Sequence, residues 1–119
     1  MTAAARPLPH WLTVSTGPAP AVVDGRAGRT RAAFFEEVAR ALRLPDYFGR
    51  NWDALTDCLR DLDPLPPLFV EHAEELLLDE PDRQFAILLE VLGGAAAAGM
   101  TVTLCTDPAH ETELRARLP

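Results

Sequence analysis

Apolar positions recur along this chain in two rhythms, and the switch between them marks out its elements. Ala21-Val22-Val23-Asp24-Gly25 is a short apolar run closed by an Asp-Gly turn signal, which predicts a buried strand. From Thr30, a side chain suited to capping a helix, Phe34, Phe35, Val38, Ala41 and Leu42 return at helical spacing. On the same helix Glu36 and Arg40 stand four apart, the spacing of a favourable ion pair. Pro45 is expected to end it at about Leu44, because the residue before a proline avoids helical backbone. A second helical pattern runs from about Asn51 to Leu62, and Asp63-Pro64-Leu65-Pro66-Pro67 stops it. Leu68-Phe69-Val70-Glu71 reads as a second strand and Ala73 to Leu78 as a short helix. Pro81 suits the first position of a longer helix carrying Phe85, Leu88, Leu89 and Leu92, which Gly93-Gly94 and Gly99 weaken or close. Met100 to Thr106 alternates apolar and small polar residues, a strand pattern, and Asp107 with Pro108 can cap a terminal helix through Leu118.

Three short strands separated by helical segments require parallel pairing with crossovers, so the expected fold is α/β, a small three-stranded parallel sheet packed with helices. The organisation expected is an N-terminal arm over residues 1–20, an α/β domain over 21–106 and a helical extension over 107–119. Residues 1–10 hold little to bury. Trp11 to Thr16 has weak strand character before Pro18 and Pro20, which leaves open an added edge strand.

Composition narrows the function classes. A chain of 119 residues with 48% apolar content can bury one core but not two. Its 18 acidic residues against 11 basic ones, all of them Arg, leave a net charge of −7, which argues against nucleic acid as a partner. The same charge favours a cationic protein partner, although acidity also serves plain solubility. The lack of Lys beside abundant Ala, Arg, Pro and Leu points to a GC-rich bacterial genome. No run approaches the roughly 18 apolar residues of a membrane span, and the first residues lack a secretory pattern, so a cytoplasmic location with no membrane association is expected. Cys58 and Cys105 are too few and too poorly flanked for a disulfide scaffold or a zinc site, and both are expected to be reduced and packed. His10, His72 and His110 share no spacing and read as surface or packing residues. No cofactor or metal is expected.

The second helix carries the chemistry. Trp52, Leu55, Leu59 and Leu62 advance by three, four and three positions and fall on one face, the core side. Asp53, Asp57 and Asp61 advance by four, and at about 100° per residue they point almost oppositely, as a solvent-facing carboxylate stripe. Like charges four apart weaken a helix and Asp is a mediocre helix former, so helix stability does not account for the stripe. Asp53 benefits from the helix N-terminus, whereas Asp57 lies mid-helix without that benefit. Arg50 and Arg60 are placed to neutralise part of the stripe, which makes a merely solvated charged face the plain reading of Asp61. In the loop before the helix, Gly49 is expected to supply a backbone conformation closed to other residues. Tyr47, the single tyrosine, suits either an interface anchor or a partly buried ring bonded to backbone.

The run from Leu44 to Leu59, Leu-x-x-Tyr-x-Gly-x-Asn-x-Asp-Ala-Leu-x-Asp-Cys-Leu, resembles the signature of the barstar family, intracellular inhibitors of the ribonuclease barnase. More weakly the resemblance extends over about residues 21–106. It implies a barstar-like three-stranded parallel sheet with helices, no enzymatic activity, and an inhibitor or antitoxin that lays its loop and second helix into a nuclease active site. Tyr47, Gly49, Asn51, Asp53 and Asp57 match the family's contact positions, with Asp57 central, its carboxylate where substrate phosphate would lie. Three departures are visible. Thr56, also at a partner-binding position, stands where the family has Trp, Gly94 where it has an acidic residue, and Arg50 where it has another. The implied partner is a basic ribonuclease or related toxin, met by a chain that is a monomer when free. Two alternatives remain: an immunity or regulatory protein of this fold that binds a non-ribonuclease toxin or another basic protein, and, from a different class, an enzyme whose paired Asp residues hold Mg²⁺. The enzyme reading lacks an enclosing pocket and a partnered nucleophile or base.

Overall fold

The computed structural model describes residues 7–119, and the part of the expected arm at residues 1–6 lies outside the described residues. Residues 7–20 contain neither helix nor strand, and Trp11 is 74% exposed. The weak alternation over 11–16 therefore forms no edge strand, since it meets no apolar surface on which to bury one face.

Three strands, β1 (Ala21–Asp24), β2 (Leu68–Glu71) and β3 (Val102–Leu104), pair in parallel in the order β1-β2-β3. Register places Ala21 beside Leu68 and Leu68 beside Val102, and likewise Val23 beside Val70 and Val70 beside Leu104. Because side chains alternate along a strand, these six apolar residues share one face. Helices α1 (Arg31–Leu42), α2 (Trp52–Asp61) and α3 (Asp82–Ala97) cover that face. Phe34, Val38, Leu55, Leu59, Leu88 and Leu92 meet Val23, Leu68 and Val70 there, all buried. On the opposite face Val22 and Thr103 are exposed and Phe69, between them on β2, is half-buried.

The ends of the elements depend on local hydrogen bonds. Thr30 caps α1, its hydroxyl accepting from the Ala33 N–H at 3.2 Å. At the other end α1 stops at Leu42, two residues short of the limit set by Pro45, because Arg43 turns into the left-handed region at φ 52°. The N–H groups of Arg43 and Leu44 then bond back to the carbonyls of Arg40 and Ala39, a motif that usually recruits glycine. Pro81 stands just before α3 rather than inside it, and α3 runs through Gly93-Gly94 to Ala97 before the chain leaves at Gly99, φ 110°. Gly25, which closes β1, is a case of close approach: a Cβ there would lie 2.1 Å from the His72 carbonyl oxygen.

After β2, Ala73–Glu75 forms one 3₁₀ turn in place of the longer helix expected to Leu78. The terminal helix α4 (Glu111–Arg117) starts three residues after Pro108, with the Asp107 carboxylate accepting from the His110 N–H. Arg117 fixes α4 to the 3₁₀ turn. It donates to the carbonyls of Glu74 at 3.0 Å and Leu76 at 2.7 Å while its guanidinium stacks 4.1 Å over the Phe85 ring.

Candidate functional site

The loop from Leu44 to Arg50 and the outer face of α2 form one continuous surface. Phe48 anchors the loop: its ring is 3% exposed and lies edge-on to Phe35, centroids 6.0 Å apart. That anchor was not singled out from sequence, where the signal was a second aromatic residue beside Tyr47. With Phe48 inward, Tyr47 is 82% exposed, so of the two roles open to it the structure excludes the buried ring bonded to backbone.

Gly49 is needed for a reason other than the one expected. The left-handed residue is Arg50, φ 51°, and not the glycine. A Cβ at Gly49 would instead stand 3.3 Å from Asn51 Nδ2 and 3.4 Å from the Ala54 Cβ, so the constraint is space beside the start of α2. Arg50 also departs from its expected place beside the carboxylates. Its guanidinium turns to α1, bonding Glu36, and donates to the Phe48 carbonyl at 3.1 Å. The hydrogen bond with Arg50 holds the Glu36 carboxyl below its usual range and raises the guanidinium in turn. Glu36 is thereby taken from its expected partner Arg40, which pairs with Glu37 at 2.7 Å. Glu37 is buried, and its carboxylate also accepts the Asp24 N–H at 2.7 Å, which favours it over the exposed Glu36.

Asn51 caps α2. Its Oδ1 accepts from the Ala54 N–H at 2.7 Å and its Nδ2 donates to the Gly49 carbonyl at 3.2 Å. The side chain thus joins loop to helix and is already engaged in the free chain. Behind it Trp52 packs 4.9 Å from the Phe35 ring and donates Nε1–H to Gln84 Oε1 at 2.9 Å, which ties α2 to α3. Leu55 and Leu59 complete the inner face, 0% and 4% exposed.

With the inner face held, Asp53, Asp57 and Asp61 are all exposed, as their spacing requires. Among the described residues no side chain donates a hydrogen bond to any of them. Arg60 approaches Asp57 only to 3.8 Å, with both side chains about three-quarters exposed, a contact worth little in water. Thr56 is half-buried, its hydroxyl donating to the Trp52 carbonyl at 3.0 Å. Cys58, free and half-buried, sits between the two faces; burial raises its thiol pKa, and Asp61 and Asp57 add to the effect. Cys105 is also free and half-buried.

The α2 carboxylates do not gather as metal ligands would. Among the described residues a group of three possible ligands occurs elsewhere, at His72, Glu74 and Glu75, with atoms within 4.8 Å of one another. There Glu74 accepts from the Thr106 hydroxyl at 2.6 Å and Glu75 from Arg29 at 2.6 Å, so both carboxylates have protein partners. Among the described residues no helix is long and apolar enough to cross a membrane.

Comparison with known proteins bears on the same stretch of chain. The family model described as Barstar (barnase inhibitor) matches residues 19–107. A Bacillus subtilis (strain 168) protein named "Putative ribonuclease inhibitor YrdF" is 40% identical over 45 residues, which make up 38% of this chain. The match spans half the length of that relative, 50%.

Proposed function

The chain belongs to the barstar family, whose members are inhibitors and not enzymes, and from that premise we propose that it blocks a basic ribonuclease with the Tyr47–Arg50 loop and the acidic face of α2. The observation that carries this reading is the row of exposed carboxylates at Asp53, Asp57 and Asp61, held outward by a packed inner face and only weakly countered, because Arg50 is bound to Glu36 and Arg60 comes no nearer to Asp57 than 3.8 Å. A ribonuclease active site concentrates positive charge to bind phosphate, and a carboxylate on a rigid helix competes for that place. Asp57, near the middle of the row, enters the cationic site. Asp53 flanks it, Tyr47 contributes an exposed aromatic contact, and Gly49 with Asn51 set the loop that presents them. Thr56, beside Asp57, borders the contact. The net charge of −7 steers a cationic enzyme toward this face. The binding domain is residues 21–106, and the inhibitor acts in the cytoplasm as a monomer.

The test is titration of the purified chain against a panel of basic bacterial ribonucleases, barnase included, with cleavage of a fluorogenic RNA as the readout. Stoichiometric loss of cleavage by at least one enzyme is expected, together with a one-to-one complex on gel filtration. Failure to inhibit or bind any enzyme of the panel overturns the proposal.

A further inference from the structure

Between α2 and α3 the surface opens into a cleft of about 120 Å³. Leu59 and Ala95, both buried, line it together with Val91, Ala98, Thr56 and Gly94. Gly94 has no packing reason to be glycine: a Cβ there meets nothing within 4 Å. Glycine inside a helix weakens it relative to alanine, a cost that Gly93 and Gly94 share, but of the two only Gly94 lines the cleft, where a longer side chain would enter it. Such a local conflict between sequence and fold is characteristic of functional surface.

The chemistry of the lining limits what can enter. No carboxylate lines the cleft, the Thr56 hydroxyl is committed to the Trp52 carbonyl, and the charged group present is Arg60, which repels a cation. The cleft adjoins the acidic face directly, since Thr56 precedes Asp57 and Arg60 lies 3.8 Å from the Asp57 carboxylate. Charge recognition and cavity filling are therefore separated by a fraction of a helical turn.

We propose that this cleft receives one uncharged side chain of the ribonuclease, aromatic or branched aliphatic, projecting beside the cationic site that meets Asp57, and that Thr56 and Gly94 select the partner by leaving room for it. This rests on the reading of the chain as a ribonuclease inhibitor. A side chain seated in a largely apolar cleft beside a desolvated charge contact is the usual composition of an interface hot spot.

The experiment compares Gly94→Leu with Gly93→Leu in the full chain, using the ribonuclease from the panel that the unmodified chain inhibits. Gly93 is also open on its Cβ side but does not line the cleft, so both variants strengthen the helix while only Gly94→Leu fills the opening. Both are expected to melt at or above the temperature of the unmodified chain. Gly94→Leu is expected to lose about tenfold or more in affinity and Gly93→Leu to stay within about twofold. The dependence of log affinity on log salt should be unchanged in Gly94→Leu, because no charge enters the cleft. Equal affinities of the two variants overturn the cleft proposal and leave the inhibitor reading intact, as does a flattened salt dependence in Gly94→Leu. Absence of inhibition by the unmodified chain overturns both.

Discussion

Truncating Asp57 to alanine is expected to stabilise the free chain and to weaken its complex. In the free chain Asp57 is exposed in the middle of α2, four residues from Asp53 and from Asp61. Alanine is a better helix former than aspartate by roughly 0.5 kcal/mol. Its introduction also removes two like-charge spacings, worth roughly 0.2–0.5 kcal/mol each. Against this stands the loss of the contact with Arg60, at 3.8 Å and well exposed, worth on the order of 0.2–0.5 kcal/mol. The balance favours the variant by about 0.5–1 kcal/mol, or roughly 2–4 °C in melting temperature for a domain of this size. In the proposed complex the same carboxylate would face the cationic groups of the enzyme without water, and its removal should cost more than about 2 kcal/mol, about 30-fold in Kd. Thermal unfolding followed by circular dichroism measures the first quantity and a competition assay against RNA cleavage the second. Asp61→Ala, one turn further from the loop, is expected to change Kd only a few-fold. Equal and small effects of Asp57→Ala and Asp61→Ala on affinity would refute the central role given to Asp57, and a destabilised Asp57→Ala would refute the account of the stripe.

Other substitutions separate structure from recognition elsewhere. Asn51→Ala removes the α2 cap and should lower stability by about 1 kcal/mol, seen as a lower urea midpoint, whereas Asn51→Asp, which can still accept from the Ala54 N–H, should keep most of it. Glu37→Gln should lower stability at neutral pH and flatten the acid limb of the unfolding profile. The hydrogen bonds from Arg40 hold the Glu37 carboxyl below its usual range, so its stabilisation is complete above the unfolded carboxyl pKa near 4.3 and is lost as pH falls through the lower folded value. Urea midpoints measured from pH 7 down to pH 2 check the sign. Arg117→Ala should cost roughly 1–3 kcal/mol by leaving carbonyls of the 3₁₀ turn unpaired and uncovering Phe85, and faster amide exchange at Leu114 would report the loosened α4.

Where a pattern repeats at a fixed period, the sequence was enough. Alternation and run length located the three strands, and the three-and-four spacing of Trp52, Leu55, Leu59 and Leu62 placed the carboxylates of α2 toward water, because a regular helix or strand converts spacing into direction without reference to anything else. The parallel pairing followed from the helical segments between strands. Identity of neighbours was not legible in this way. Glu36 and Arg40 have the right spacing for a pair, yet Arg50 and a buried Glu37 rearranged the pairing, and that depends on how α1 lies against the loop and against β1. Left-handed backbone fell on Arg43, Arg50, His72 and Leu77 while Gly49 served for clearance, since the tertiary path of the chain sets which residue must turn. Asn51 is a matched contact position in sequence and a helix cap in the structure. The cleft beneath Thr56 and Gly94 joins residues 38 positions apart, and only the packing of α2 on α3 brings them together. Periodicity alone thus determined which faces of this protein are apolar and which are charged. The tertiary structure decided which charges remain unpaired and where the surface is hollow, because both depend on distances between segments that local spacing does not encode.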